Sequence, residues 1–232
     1  MAGLIIFEPV TRVKRQPEPV TIERIKQVHS ERSGAIRQRL EEFEGVLRRG
    51  SDAEIWEEMV FCFFTGGCSA RMGLRSIEAV RPHLAEGNWE TVRDALSGVH
   101  RYPNARSRYV VESREFLENS IGFRIRAKLE SFDCHLERRD WLVKEKGIKG
   151  LGYKEASHFL RNIGYKGYAI LDKHVLRCLA ELKIINDPKP PNTRSKYLSV
   201  ENRLKTLTES IGIDFDEMDL VLWSMKTGEI LK

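Results

Sequence analysis

From Thr21 to about Leu47, apolar residues return at helical spacing: Ile22, Ile25, Val28, then Ile36, Leu40, Phe43 and Leu47. LRRG closes the run with cations before a glycine. The pattern predicts a long helix or a kinked pair broken at Gly34. Ser51 followed by Glu54 is a capping box that opens SDAEIWEEMVFCFF, a helix apolar on most faces in its second half and therefore central. Helical periodicity continues at roughly 69–86, 88–98, 104–119, 122–133, 137–146, 153–164, 172–183, 195–211 and 214–226, with DPKPPN at 187–192 as the clearest loop. No alternating pattern lasts long enough for a sheet, and no repeat or low-complexity tract interrupts the chain. The expected fold class is all-α. The first twenty residues mix prolines with cations and show no period, as an extension would.

The 232 residues suffice to bury a real core without staples. Cys62, Cys68, Cys134 and Cys178 have neither zinc spacing nor the clustering of an iron-sulfur quartet, and no signal-peptide pattern precedes them. Reduced thiols in a cytoplasmic protein are expected, with no metal site. LIIF at 4–7 is too short to cross a bilayer, so no membrane association is expected. Lys and Arg number 39 against 34 Asp and Glu, a formal charge of +5 that suits a polyanionic partner without requiring one.

The most informative stretch is GIKGLGYKEASHFL. Gly150 and Gly152 fall between two helical patterns, where glycine allows a tight turn and leaves backbone N–H groups open to a phosphate. This is a helix-hairpin-helix, which grips a DNA backbone without reading its sequence. Lys154 falls in the first turn of the second helix, where the positive end of the helix dipole disfavours an ammonium. Two readings are open: Lys154 meets phosphate, or it is a neutral amine that attacks carbon. Asp172, in AILDKHVLRCL, is an N-cap by position. It follows the lysine's helix by a short connection, so its carboxylate can also share a cleft with that amine.

GIKGLGYKEASHFLRN with AILDKHVLR, HRYPNARSRYVVESREFL upstream and the tail MDLVLWSMKTGEILK resemble the second, archaeal and bacterial, family of 8-oxoguanine DNA glycosylase/AP lyases in the helix-hairpin-helix superfamily. The resemblance runs from roughly Val60 to the last residue. It implies that Lys154 attacks C1′ of the damaged nucleotide, that Asp172 is the essential carboxylate, and that the partner is duplex DNA containing an oxidised purine. It also implies two helical subdomains flanking a cleft, which we expect at 21–68 with 172–232 and at 69–171, after an extension over 1–20. The second subdomain would end in the hairpin at about 137–164. Without a cysteine quartet the chain departs from the endonuclease III branch, and Lys154 separates it from the monofunctional adenine glycosylases. No cofactor is expected, and a monomer is.

In the tail, the family implicates Lys232 in telling 8-oxoguanine from guanine. Oxidation turns N7 from acceptor to N–H donor, so an oxygen acceptor there welcomes the lesion. Trp223 would then stack on the flipped base and Asp219, four residues earlier, reach its polar edge. One departure stands out: Thr65, Gly66 and Gly67 occupy the place where the family has Thr, a small residue, then Asn or Gln. Gly67 cannot fill the gap left by an extruded base, which leaves Arg71 or Tyr102 as candidate wedges. His158, one turn past Lys154, is read as a packing histidine; His100 and Arg101 are read equally as phosphate contacts or solvated residues. The cations at 11–17 are read as solvated. Two alternatives remain: the same chemistry on an oxidised pyrimidine, or a DNA-binding module without chemistry.

Overall fold

The structure, a computed structural model, describes residues 19–231. The basic stretch at 11–17 and Lys232 lie outside the described residues. Within these bounds the chain forms helices and no strand. In order they are α1 (Ile22–Arg49), α2 (Asp52–Thr65), α3 (Ala70–Val80), α4 (Trp89–Leu96), α5 (Pro103–Ile121), α6 (Ile125–Glu130), α7 (His135–Lys144), α8 (Tyr153–Asn162), α9 (Lys173–Glu181), α10 (Arg194–Ile211) and α11 (Phe215–Thr227).

Local chemistry explains most boundaries. Thr21 caps α1 by accepting the Arg24 N–H, and Ser51 with Glu54 forms the reciprocal capping box at α2. The periodicity at 69–86 resolves into α3 and a short 3₁₀ turn, Arg81–His83, because Pro82 has no N–H with which to continue an α-helical ladder. The stretch at 122–133 shortens to the six residues of α6, preceded by Gly122 and Phe123 in left-handed conformation.

The break expected at Gly34 does not occur: α1 runs unbroken for 28 residues through it. A mid-helix glycine costs only about 1 kcal/mol. Burial of Ile25, Val28, Ile36 and Phe43 along the same helix outweighs that.

Buried apolar side chains sort into two cores. One gathers α2 to α8, centred on Trp56, Met59 to Phe64, Leu96, Leu117, Phe159 and Leu160. The other gathers α1, the segment at 169–171 and α9 to α11, centred on Ile25, Leu171, Leu176, Tyr197, Leu204 and Leu222. α2 is central, as its apolar faces require, and by burial it groups with the first core rather than with α1. Val20, at the end of the expected extension, is buried in the second core and donates its N–H to Glu181. α8 runs along the seam: Ala156, Phe159 and Leu160 face the first core, whereas Tyr153 packs on the second.

Two expected outcomes follow. Gly34 is exposed and a methyl group there would meet nothing within 4 Å, so Gly34→Ala should raise stability by about 0.5–1 kcal/mol in urea denaturation. Arg139 and Glu201, both buried, pair through two bonds of 2.7 and 2.8 Å. Glu201→Ala strands a buried guanidinium and should cost roughly 3–5 kcal/mol by the same measurement.

Candidate active site

The hairpin is α7, the loop at 145–152 and α8. Ile148 and Leu151 sink into the first core and the Lys149 N–H donates to Ser113, so the turn is anchored on both sides of Gly150. Gly150 has φ +75°, and a side chain there would strike the Tyr109 ring. Gly152, by contrast, takes no positive φ: it is the extended N-cap of α8 (φ −84°). Its requirement is spatial, since a methyl group would lie 3.2 Å from a carboxylate oxygen of Glu155.

Lys154 is the second residue of α8, three-quarters buried. Among the described residues its amine makes one ion pair, with Glu155 Oε1 at 3.7 Å. Asp172 is the N-cap of α9, and its Oδ1 accepts the N–H groups of both His174 and Val175 at 2.8 Å. The chain between them is clamped from α10. Tyr197 donates its hydroxyl to the Ala169 carbonyl at 2.7 Å, and Glu201 accepts the Ala169 N–H at 2.9 Å while holding Arg139, which also donates to Ser157 of α8.

Lys154, Asp172, Asp219 and Trp223, four residues singled out in the sequence, line one cavity of about 280 Å³ at the seam between the cores. The wall also draws on the end of α2 and the turn after it (Thr65, Cys68), the starts of α3 (Arg71) and α9 (His174), His158 and Arg161 of α8, and the tail beyond α11 (Glu229, Leu231). A second recess, about 620 Å³, shares Lys154 and Asp172 and widens toward Gly152, Tyr153, Arg101 and the Pro190–Pro191 loop. Lys154 and Asp172 therefore stand between a small chamber and a broad groove.

Asp219 is buried and pairs with Arg161 at 3.2 Å. Burial pushes its carboxyl up to about 6, and the nearby Asp172 and Asp216 carboxylates add to that, while Arg161 pulls it down. Trp223 belongs to neither core and is only partly buried, so it is not an ordinary core aromatic. His158 is buried edge-on against Phe61, the packing role its sequence context suggested. His100 is neither solvated nor turned to a phosphate: it is buried, accepts the Tyr102 N–H at Nδ1 and pairs through Nε2 with the Phe64 carbonyl.

Of the two wedge candidates, Arg71 is tied to Glu229 of the tail. Tyr102 is 40% exposed, with Arg101 and Arg106 over its ring. Gly67 adopts φ +73°, a conformation that glycine takes freely and that asparagine also tolerates. Glu155 and Arg161 were not assigned roles from sequence, although both lie in KEASHFLRN; Arg161, seven residues past Lys154, shares its helix face (161 − 154 = 7).

Residues 36–213 match the family model described as 8-oxoguanine DNA glycosylase. The 8-oxoguanine DNA glycosylase/AP lyase of Korarchaeum cryptofilum is 39% identical over 198 residues, 85% of this chain and 90% of that protein. Its counterpart in Methanocaldococcus jannaschii is 35% identical over 212 residues, 91% of this chain and 97% of that protein. Among solved structures, the M. jannaschii 8-oxoguanine glycosylase/lyase in complex with 15mer DNA containing 8-oxoguanine superposes with a TM-score of 0.83 at 34% identity, covering 91% of this chain and 99% of that one. The 8-oxoguanine DNA glycosylase of Thermotoga maritima gives a TM-score of 0.82 at 31% identity, covering 91% and 98%. A family model spanning most of the chain, relatives above 30% identity over nearly their whole length, and the same helical architecture together establish that this protein belongs to the 8-oxoguanine DNA glycosylase/AP lyase family.

Proposed function

We propose that the protein excises 8-oxoguanine flipped out of duplex DNA and then cleaves the strand. The observation that carries this reading is the junction of the two recesses, where Lys154 and Asp172 meet a chamber lined by Trp223 and Asp219. The chamber takes the extruded base and the groove takes the sugar-phosphate chain. The sugar C1′ then comes to the lysine between them.

The Lys154 amine forms a bond to C1′ as the base leaves, and the resulting Schiff base with the opened sugar undergoes β-elimination of the 3′ phosphate. Asp172, with Oδ1 held by two backbone N–H groups, supplies a fixed negative charge beside the oxocarbenium-like sugar. Trp223 stacks on the base and Asp219 accepts from its N–H edge. Lys232 carries the discrimination implied by the family resemblance. Gly150 and Gly152 hold the turn against backbone phosphates. Tyr102, exposed and flanked by two arginines, is the wedge; Arg71 is held by the tail.

The two cores support a pair of subdomains, which we place at 20–50 with 169–231 and at 51–168, with the cleft between them. No helix among the described residues is long and apolar enough to cross a membrane. A cytoplasmic monomer acting on DNA fits these features.

Borohydride trapping on a duplex with one 8-oxoguanine tests the chemistry. A covalent band is expected with the native protein and none with Lys154→Gln, while matched guanine duplex gives none. A band on oxidised pyrimidine alone would change the lesion, and no band at all would leave a DNA-binding module.

Asp219 yields a second expected outcome. Its folded-state value near 6 lies above the ordinary 3.8, so its carboxylate forms as pH rises through 6. Excision should therefore rise along an acid limb with a midpoint near pH 6, absent in Asp219→Asn and absent when a preformed abasic site, which has no base to recognise, is cleaved. By the same sign, burial of Asp219 lowers folding stability as pH climbs from about 4 to 6, because the unfolded chain releases this proton first.

A further inference from the structure

A lysine attacks only as the free amine, so some group must take its proton. Asp172 is poorly disposed for that duty: its Oδ1 already accepts two N–H bonds at the start of α9. The carboxylate that pairs with the Lys154 amine is Glu155, one residue on, at 3.7 Å. Neighbouring residues on a helix ordinarily diverge, and the contact exists because both side chains turn toward the turn after α2. Gly152 leaves room for it: a methyl group there would lie 3.2 Å from Glu155 Oε2. Arg106, which donates to the Gly66 carbonyl, closes the other side. The side chain of Glu155 is about four-fifths buried and lines the groove together with Lys154 and Asp172.

We propose that Glu155 is the proton acceptor for Lys154, leaving Asp172 as the fixed charge beside the sugar. This rests on Lys154 being the nucleophile. Nζ gives a proton to Glu155, and its freed lone pair bonds to C1′ as the C1′–N9 bond breaks. The bonding pair leaves with the base, which takes up that proton. A second proton then passes from the new secondary ammonium to the same carboxylate, the nitrogen lone pair expels O4′, and O4′ is protonated as the Schiff base forms.

The pair is faced by Arg106 from α5, Arg101 from the loop before it, and Lys173 and Asp172 at the start of α9. Cys62 of α2 feels both charges of the pair, and burial pushes its thiol well above the ordinary range. The chamber side of Lys154 carries Cys68 from the turn after α2, Arg71 of α3, His158 and Arg161 of α8, His174 of α9, Asp219 of α11 and Glu229 of the tail, with Glu58 of α2 behind Cys62. Asp219 changes charge near pH 6, below the range used in the test.

The test compares Glu155→Gln with the native protein in single-turnover excision of 8-oxoguanine between pH 7 and 9.5. Neighbouring groups whose ionisation does not depend on the Glu155 charge drop out of the ratio. Losing the acceptor should slow the variant by roughly a hundredfold at pH 7, and the gap should narrow by about tenfold per pH unit as hydroxide takes over. Borohydride trapping at high pH should still give the covalent band. A ratio constant with pH marks a merely structural role and overturns the proposal, as does an unchanged rate. A faster variant also overturns it, because Glu155 would then be holding the amine protonated. An unfolding midpoint within a few degrees of native establishes that the variant is folded, and Glu155→Asp, which keeps the carboxylate, should recover part of the rate at pH 7 and flatten the pH dependence. If the native protein traps no Schiff base, the reading of Lys154 falls; if it traps and Glu155→Gln shows a flat ratio, only the role of Glu155 falls.

Discussion

The buried Arg139–Glu201 pair governs the geometry of this protein. Arg139 stands on α7, the first helix of the hairpin, and Glu201 on α10 of the other core. The guanidinium also reaches Ser157 on α8, and the carboxylate reaches the backbone of Ala169. One ion pair thus ties together the helix that carries Lys154 and the connection that delivers Asp172. Taking both charges out of water is costly, so the arrangement is tolerated because nearly every polar contact is made at once. Tyr197 completes it, with its hydroxyl on the Ala169 carbonyl and its ring against Tyr153. A seam held this way keeps Lys154 and Asp172 in register, which apolar packing alone specifies less sharply.

Charge is distributed around the seam with a consistent logic. The small chamber ends on a buried Asp219 whose ionisation is hindered by burial and rescued in part by Arg161. The groove beside it carries Arg101 and Lys173, placed for a polyanionic chain. The carboxylates near Lys154 are held in distinct environments: Asp172 by a helix N-terminus, Glu155 against the amine itself. The different duties proposed for them rest on that difference in surroundings.

What was legible in the sequence were features encoded over a few residues. The Ser51–Glu54 box, the cap at Asp172 and the glycine turn before Lys154 all form as their local chemistry requires. Gly34 was misread because a propensity argument sees the local cost of glycine and not the packing of a whole helix over it. Gly152 was assigned to backbone freedom, yet it is extended, and its tight neighbour is the carboxylate of Glu155 three residues on, a matter of where that side chain points. His100 looked like a surface residue beside arginines, yet the loop folds its ring onto the Phe64 carbonyl.

The sequence by itself determined an all-helical chain, a phosphate-gripping hairpin and a lysine and aspartate at successive helix starts, because capping, glycine turns and apolar period act between near neighbours. Only the tertiary structure decided that Trp223 and Asp219 reach the same chamber as Lys154, that Arg71 is held by the tail, and that Glu155 rather than Asp172 pairs with the amine. Those outcomes depend on how two cores meet along α8, and contacts across the seam join residues up to 158 positions apart that no local pattern connects.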